Sequence, residues 1–257
     1  MNDDVNHWHG PDCRAGLTSI VLLAFNQLPY TRRCVESVRS KTDVPFEFVF
    51  VDNGSTDGTA EYFASIPGAR VIGNHTNRGY PAAVNQALQY VQGEQILLLN
   101  NDTVVSTDWL NKLLTALHSH PQIGLVGPSS NNAHGAQTIA VPYSEIAGID
   151  SFARQLAVDQ CGVAEESHRL IGFCLLMRRA VLQQLGGLDE RFGLGCFEDD
   201  DLCRRAIQAG WKAVIARDAF VHHYGQQTFT ASGVDLGALL EENRKKYLDK
   251  WNGAAFP

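Results

Sequence analysis

Four acidic residues stand side by side in the segment GLGCFEDDDLCRRA: Glu198, Asp199, Asp200 and Asp201. One interpretation of this run is a solvated helix N-terminus, where the positive end of the helix dipole stabilises an acidic side chain by ~0.3–1 kcal/mol. The other interpretation is a catalytic site, in which one carboxylate accepts a proton as a general base. The chemistry carried by the rest of the chain has to decide between the two.

Polar residues also follow three apolar segments. VDNGSTDGT ends its apolar part in Asp52, whose carboxylate can accept a hydrogen bond from the imide N–H of a base. LLLNNDT places Asp102 where it can hold a divalent ion that bridges a diphosphate. In VHHYG the neighbours His222 and His223 point to opposite faces of a strand, so only one of them can join a given metal site. Taken singly, each motif is explained as well by turn formation or by a structural histidine.

Alternating apolar strands and amphipathic helices must position these residues. The pattern predicts four buried strands, separated by helices, over TSIVLLAF, FEFVFVD, ARVIG and EQILLLN. Continuous apolar strands with helical crossovers indicate an α/β fold with a mainly parallel central sheet flanked by helices. Ligands of such sheets bind at the carboxyl ends of the strands, which is where Asn26, Asp52 and Asp102 fall.

The second half of the chain is less regular. Helices are predicted over STDWLNKLLTALHSH, AVLQQLG, DLCRRAIQAG and VDLGALLEENRKKYLDKW, and strands over IGLVGP and before MRRA. WKAVIARDAFVHH predicts one or two strands, and residues 129–166 are expected to be loop-rich because their periodicity is weak. No linker or repeat divides the sequence, so we predict a flexible N-terminal segment over 1–16 and a single domain over 17–257.

Composition and charge exclude several classes of protein. A hydrophobic content of 44% with 19% charged residues predicts a folded chain with a substantial core. The net charge of -7 argues against a nucleic-acid binder, which usually carries a basic surface. The six cysteines show no CxxC pair, and neither a signal peptide nor an apolar run long enough to span a bilayer is found. We therefore expect a cytoplasmic protein whose membrane contact is at most peripheral.

Six segments occur together in an order that is typical of one family: SIVLLAFN, VDNGSTDGT, NRGYPAAVNQAL, LLLNNDT, GFCLLMRRAV and GGLDERFGLGCFEDDDLCRRA. From about Thr18 to Phe229 the chain resembles family 2 glycosyltransferases. The resemblance implies the GT-A fold, which is a Rossmann-like nucleotide-diphospho-sugar transferase fold, and an inverting transfer of a sugar to an acceptor hydroxyl. It further implies a nucleotide-binding half over 17–127, an acceptor and catalytic half over 128–230, and a C-terminal helix over 231–257.

The resemblance assigns roles to individual residues. The nucleotide and donor sugar would be bound by Ala24, Asn26, Asp52, Asn77, Arg78, Gly79, Asn85, Asn101 and Asp102. Asn100 stands at the first acid of the DXD motif, and this NND form leaves Asp102 as the carboxylate for Mn²⁺ or Mg²⁺. His222 is similar to the histidine that completes the metal site in some members, and the choice between His222 and His223 stays open.

Asp199 would be the general base by the same resemblance. Repulsion from its acidic neighbours is expected to raise its proton affinity, and Glu198 would orient the acceptor or the loop. Asp200 or Asp201 is expected to cap the following helix. Gly193 and Gly195 would let this loop close over the substrates.

Donor and acceptor are only partly constrained. The NND form is similar to that of enzymes using UDP- or dTDP-linked sugars, and the imide of uracil or thymine suits Asp52. The acceptor could be a glycan, a lipid-linked saccharide or a protein, with residues 129–166 making the choice. Two other classes compete: a non-catalytic nucleotide-sugar or carbohydrate-binding module, and a nucleotidyltransferase, which would need a glycine-rich basic loop that AFNQLPYTRR lacks.

Overall fold

A computed structural model describes residues 8, 10–225 and 233–254 of the chain. Half of the predicted N-terminal segment 1–16, namely residues 1–7 and 9, lies outside the described residues. Within that segment, Trp8 is buried and donates a hydrogen bond of 3.0 Å from Nε1 to the carbonyl of Leu88, and the first strand already begins at Arg14. Trp8 is therefore packed on the domain, and residues 14–16 already belong to the first strand.

The described residues form nine strands and eight α-helices, besides three short 3-10 helices. The strands are β1 (Arg14–Ala24), β2 (Phe46–Asp52), β3 (Arg70–Gly73), β4 (Gly93–Asn100), β5 (Thr103–Val105), β6 (Ile123–Ser129), β7 (Ala164–Glu166), β8 (Cys174–Arg178) and β9 (Lys212–His223). The helices are α1 (Leu28–Lys41), α2 (Thr59–Ala64), α3 (Tyr80–Leu88), α4 (Trp109–His118), α5 (Ile149–Asp159), α6 (Arg179–Leu185), α7 (Glu198–Gln208) and α8 (Leu236–Lys250). None of the helices in the described ranges combines the length and the apolar character that crossing a membrane requires.

The strands form one mixed sheet in the order β3-β2-β1-β4-β8-β6-β9-β5, with β7 on β9. β1 to β4 are parallel, β8 runs antiparallel to both of its neighbours, and β6 pairs parallel to β9. The predicted α/β fold with a mainly parallel sheet flanked by helices is confirmed.

Alternating residues of the central strands build a core on each face of the sheet. Ile20, Leu22 and Phe50 face one core with α1 and α4, whereas Val21 and Val51 face the other core with α3 and α6. Because successive side chains of a strand point to opposite faces, a continuous apolar run is what a doubly covered strand requires.

The predicted loop-rich region contains two elements that the sequence did not indicate. Residues 129–166 include α5 and β7. Only Ile149 and Ala153 of α5 are buried, against a small cluster with Val104 and Phe220, so the apolar stripe is too short to stand out in the sequence. The segment predicted as one or two strands is the single 12-residue strand β9, whose pairing shifts register beside Ser129.

Candidate active site

A cavity of ≈ 290 Å³ opens at the carboxyl ends of the central strands. Its lining combines the ends of β1, β2 and β4 with the acidic run and the end of β9. The titratable residues that line it are Asp102, His134, Arg169, Tyr80, Cys196, Glu198, Asp199, Asp200 and His223. The fold therefore brings three of the polar motifs singled out in the sequence to one place.

The acidic run forms the first turn of α7 and is not a solvated helix end. Glu198, Asp200 and Asp201 are only 6%, 3% and 0% exposed, and Asp199 is half-buried. Burying several carboxylates together is costly unless each has a partner or keeps a proton. The interpretation as a solvated terminus is therefore wrong for three of the four residues.

Asp199 is the member of the run whose carboxylate is oriented by backbone amides beside the cavity. Its Oδ2 accepts a hydrogen bond of 2.7 Å from the amide of Gly172, and its Oδ1 accepts one of 2.9 Å from the amide of Asp200. A Cβ at position 172 would lie 3.2 Å from the Cβ of Asp199, so glycine gives this carboxylate its room. Gly172 was not predicted as a site residue.

Asp200 and Asp201 do not cap α7, contrary to the prediction. The N-cap of α7 is Phe197, and no side-chain hydrogen bond caps the helix there. Asp200 instead pairs with Arg169 at 2.5 Å, and Asp201 pairs with Arg205 at 2.7 Å. Both acids lie inside the first turn rather than before it; Arg205 belongs to α7 itself, and Asp201 also pairs with Lys250 of α8 at 2.6 Å.

Burial governs the protonation of the acidic run. It raises the pKa of Glu198 well above its usual range, and the charge of Asp199 adds to the effect. Burial and Asp199 also raise the pKa of Asp200 to about 7 in spite of the ion pair with Arg169. Burial, with Glu198 next in effect, raises the pKa of Tyr80. Oε2 of Glu198 has no hydrogen-bond partner within the described residues, and a proton there is favoured.

The loop before α7 is bent through left-handed backbone conformations. The φ angles are 126° at Gly195, 73° at Cys196 and 76° at Phe197. A left-handed conformation costs a non-glycine residue ~1–2 kcal/mol, so neighbouring contacts must hold this backbone in place. One neighbour is the NRGY segment, because a Cβ at Gly79 would lie 2.0 Å from the carbonyl oxygen of Gly193.

The ends of β1 and β2 bring together three residues predicted at the nucleotide. Ala24 is paired with Asp52 in the sheet, and the amide of Ser55 donates a hydrogen bond of 3.2 Å to Oδ1 of Asp52. Asn26 accepts 2.8 Å from the amide of Thr56 through its side chain. Asp52 is 5% exposed, and these three residues lie beside the lining of the cavity rather than in it.

Asn53 organises the predicted donor-binding segment 77–79 and was missed by the sequence analysis. Its Nδ2 donates a hydrogen bond of 2.8 Å to Oδ1 of Asn77, and its Oδ1 accepts a hydrogen bond of 3.1 Å from the amide of Arg78. Oδ1 of Asn77 in turn accepts 2.9 Å from the amide of Gly79. An asparagine placed directly after a buried strand was the available signal for this role.

Asn85 lies elsewhere, contrary to its predicted place at the nucleotide. Its carboxamide donates 2.8 Å to the carbonyl of Leu188 and accepts 2.8 Å from the amide of the same residue. Its Nδ2 also donates 3.0 Å to Glu190. Asn85 therefore anchors the GGLDE segment on α3, since its hydrogen-bonding groups are used there.

His223, not His222, faces the carboxylate of Asp102. Nε2 of His223 is 3.2 Å from Oδ1 of Asp102, whereas Nδ1 of His222 is 2.8 Å from the hydroxyl of Tyr143 on the other face. The ring of His223 stacks on Phe173 with centroids 5.0 Å apart. Neighbouring residues of β9 point to opposite faces, so the strand presents only one of the two histidines to the cavity.

Asn100 and Asn101 complete the NND segment. Both line the cavity, and Nδ2 of Asn101 donates 3.0 Å to the hydroxyl of Thr31. The described residues contain no group of three His, Cys, Asp or Glu side chains that could hold a metal ion by themselves. Any ion at this position would have Asp102 and His223 as its protein ligands.

Residues 19–186 match the family model described as "Glycosyl transferase family 2". The chain belongs to this family. The match covers more than half of the chain and ends before the acidic run, so the predicted base lies outside the matched residues. This family 2 glycosyltransferase has the GT-A fold, with its cavity at the carboxyl ends of the strands.

Curated relatives include proteins with and without a stated activity. The uncharacterized protein y4gI of Sinorhizobium fredii (strain NBRC 101917 / NGR234) is 29% identical over 222 residues, which are 81% of this chain and 24% of that protein. The N-acetylglucosaminyl-diphospho-decaprenol L-rhamnosyltransferase of Mycobacterium tuberculosis (strain ATCC 25618 / H37Rv) is 27% identical over 237 residues, which are 80% of this chain and 75% of that enzyme. The chain thus spans about a quarter of one relative and three quarters of the other.

Solved structures share the fold at low sequence identity. The mannosyltransferase PcManGT from Pyrobaculum calidifontis, in complex with GDP-Man and Mn²⁺, is 20% identical with a TM-score of 0.60, covering 83% of this chain and 59% of that one. TarS 1-349 of S. aureus in complex with UDP is 19% identical with a TM-score of 0.60, covering 83% and 62%. At these identities the likeness is one of fold.

Proposed function

We propose that this protein is an inverting glycosyltransferase, which moves a sugar from a UDP- or dTDP-linked donor to an acceptor hydroxyl with Asp199 as general base. One observation carries the proposal: Asp199 and the pair formed by Asp102 and His223 line a single cavity. Such a site needs a base for the acceptor and a positive group for the diphosphate, on two sides of one space.

The residues beside Asp102 fit a divalent ion, Mn²⁺ or Mg²⁺. Nδ1 of His223 is 2.7 Å from the carbonyl of Asn132 and donates to it, which leaves Nε2, 3.2 Å from Oδ1 of Asp102, as the ring nitrogen that would bind the ion. Nε2 has no hydrogen-bond partner in the described part of the chain. Asp102 and His223 would hold the ion in this NND form of the motif, and a bound ion would offset the negative charge that develops on the leaving diphosphate.

Asp199 would take the proton of the acceptor hydroxyl. As the acceptor oxygen attacks the anomeric carbon, the bond from that carbon to the diphosphate oxygen breaks, and the nucleoside diphosphate leaves with the bonding electrons. A single displacement of this kind inverts the anomeric configuration. The amide of Gly172 holds Oδ2 of Asp199, and Glu198 in its protonated form can donate a hydrogen bond to a sugar oxygen.

The donor base would be read at the ends of β1 and β2 by Asp52, with Ala24 and Asn26 beside the nucleoside. Asn77, Arg78 and Gly79 would form the neighbouring wall of the donor site. Among the acceptor classes, a lipid-linked saccharide is favoured by the similarity to the N-acetylglucosaminyl-diphospho-decaprenol L-rhamnosyltransferase. A glycan and a protein hydroxyl are the alternatives that an acceptor assay separates.

Thermal unfolding in the presence of nucleotides tests the proposal. UDP, dTDP, GDP and CDP are each added with Mn²⁺ or with a chelator; a ligand at 100 times its dissociation constant stabilises the folded state by ~2.7 kcal/mol. We expect an Mn²⁺-dependent rise in Tm with UDP or dTDP. The same rise in chelator would remove the metal from the proposal, and no rise with any nucleotide would contradict the donor class.

Turnover separates an enzyme from a binding module of the same fold. The donors tested are a panel of sugars linked to the nucleotide that raises the Tm. Release of the nucleoside diphosphate is then measured in the presence of pooled acceptors of the three classes. Acceptor-dependent release is expected. Donor binding without release in every combination would favour the non-catalytic nucleotide-sugar or carbohydrate-binding module.

A further inference from the structure

One asparagine of α8, Asn243, contacts the backbone carbonyls of the loop that leads to the acidic run. Nδ2 of Asn243 lies 2.8 Å from the carbonyl oxygen of Phe192, 2.7 Å from that of Gly195 and 3.2 Å from that of Cys196. Asn243 is completely buried. A single amide group therefore gathers three carbonyl groups of the loop 192–197, which ends two residues before Asp199.

The side chain of Asn243 can serve only in this orientation. Its Oδ1 is buried and has no hydrogen-bond partner within the described residues. Turning the carboxamide over would bring Oδ1 against three carbonyl oxygens, which are acceptors as well, and would leave them without a donor. The unsatisfied oxygen shows that the three carbonyl contacts determine how this side chain lies.

The loop needs such a support because its own backbone does not favour the observed conformation. Cys196 and Phe197 both have φ above 70°, and the N-terminus of α7 has no side-chain cap. Non-glycine residues persist in left-handed conformations only where surrounding contacts fix them. Asn243 supplies three of those contacts from another part of the chain.

α8 is itself fixed to the helix that carries the acidic run. The fully buried carboxylate of Asp201 is 2.6 Å from Nζ of Lys250 and accepts 3.1 Å from Nε1 of Trp251. The ring of Phe197 also packs against Tyr247, with centroids 5.8 Å apart. The loop is thus clamped between α8 and α7, so the position of Asp199 depends on both.

We propose that Asn243 is a positioning residue for Asp199: by holding the loop 192–197 it sets the direction in which the carboxylate of Asp199 meets the acceptor. This rests on the proposed function, in which Asp199 is the base. α8 lies beyond the residues that match the family model, so the role does not come from that match. A base displaced by ~1 Å can cost ~100-fold in rate, so the effect belongs in kcat.

Asn243→Ala tests the proposal, with Tyr247→Phe as its control. The control removes an α8 hydrogen bond of 3.2 Å to Arg204 on α7 and keeps the ring that packs on Phe197. Kinetics are measured below the unfolding temperature of every variant. We expect Asn243→Ala to lower kcat ~100-fold and to change the donor KM by no more than ~3-fold. For Tyr247→Phe, both kcat and the donor KM should stay within ~3-fold of the wild-type values. Asn243→Ser, which keeps one hydroxyl donor, is expected to fall between them.

Hydrogen exchange measured by mass spectrometry reports on the loop without any turnover. Peptides covering 192–200 should exchange faster in Asn243→Ala than in the control, while peptides of β1 and β4 exchange equally. If the wild-type protein transfers no sugar, the proposed function fails. The hydrogen-exchange result still tests the loop independently: unchanged exchange of peptides 192–200 in Asn243→Ala would show that Asn243 does not hold the loop. A kcat within ~3-fold of wild type, or loss of folding in both Asn243 variants, overturns the positioning role.

Discussion

Nε2 of His223, at the end of β9, lies 3.2 Å from Oδ1 of Asp102, in the turn that follows β4. The antiparallel pairing of β5 with β9 sets this distance, because it places Thr103 opposite His223 and Val104 opposite His222. A carboxylate oxygen and an imidazole nitrogen at this separation suit two neighbouring ligands of one divalent ion, which are ~3 Å apart when each is ~2.1 Å from the ion.

Replacing the two histidines separately tests this metal site. His223→Ala is expected to raise the Mn²⁺ concentration needed for nucleotide stabilisation at least ~10-fold, since it would remove one of the two proposed protein ligands. His222→Ala is the matched control, because it removes the contact with Tyr143 and leaves the Asp102 side of β9 in place. For each variant, the Tm is measured in UDP or dTDP as the Mn²⁺ concentration is raised. Equal effects of the two variants would speak against His223 as the ligand.

Asp199→Asn keeps the shape of the proposed base and removes its basicity. The carboxamide oxygen of Asn can still accept from the amide of Gly172, whereas its NH2 group cannot accept from the amide of Asp200, so one of the two backbone contacts is kept. We expect turnover to fall ~10²–10⁴-fold, the usual contribution of a general base, with donor binding unchanged. Asp159→Asn, on the exposed face of α5, is the control. Turnover within ~10-fold of wild type would mean that another group takes the proton.

Gly79→Ala should disturb the acidic loop, whereas Gly68→Ala should only strain the backbone. Both glycines have positive φ, 80° and 76°, so an alanine strains the backbone at either position, and more so at Gly79, whose ψ of 167° lies in a region essentially restricted to glycine. A Cβ at Gly79 would also lie 2.0 Å from the carbonyl oxygen of Gly193, whereas nothing lies within 4 Å at Gly68.

We expect Gly79→Ala to lower the free energy of unfolding by ~1–3 kcal/mol more than Gly68→Ala does, because of the clash and of the greater backbone strain at position 79. Turnover should fall in the first variant alone. Urea unfolding and steady-state kinetics provide the two measurements. A common loss in both variants would show that the contact between NRGY and the acidic loop is not important.

Asp200 should make the folded state less stable as pH rises. Its pKa is about 7 when folded, against a usual value of 3.8, so between about pH 4 and pH 7 the folded chain binds more protons than the unfolded chain. The contribution of this group is fully present below the unfolded pKa and is lost as pH rises through the folded pKa. The stability of wild type relative to Asp200→Asn should fall across this window and level off above it.

Urea unfolding of both proteins from pH 4 to pH 8 measures the difference. Asn at position 200 removes the titration and leaves Arg169 in place. Burial raises the pKa of Glu198 in both proteins, but the charge of Asp200 adds to that rise, so the measured difference also contains the loss of this repulsion in Asp200→Asn. Parallel curves for the two proteins would mean that Asp200 is ionised throughout.

Local patterns were enough for most elements of the sheet and for the motifs at its edge. The apolar runs that end at Asp52 and Asn100 predicted buried strands, and both are buried on two faces. α5 was not predicted from the sequence because only two of its residues are buried, so its apolar pattern is too weak to indicate a helix. The capping role predicted for Asp200 and Asp201 failed because their partners, Arg169 and Lys250, come from distant parts of the chain.

The sequence by itself determined the α/β architecture, the family and the set of polar residues at the strand ends, because strand periodicity and motif order are written locally. Only the tertiary structure decided that His223 rather than His222 meets Asp102, that Asn85 holds a loop, and that Asn243 supports the segment before Asp199. These choices depend on strand register and on hydrogen bonds between residues far apart in the chain. Such contacts form only when the whole sheet and α8 have packed.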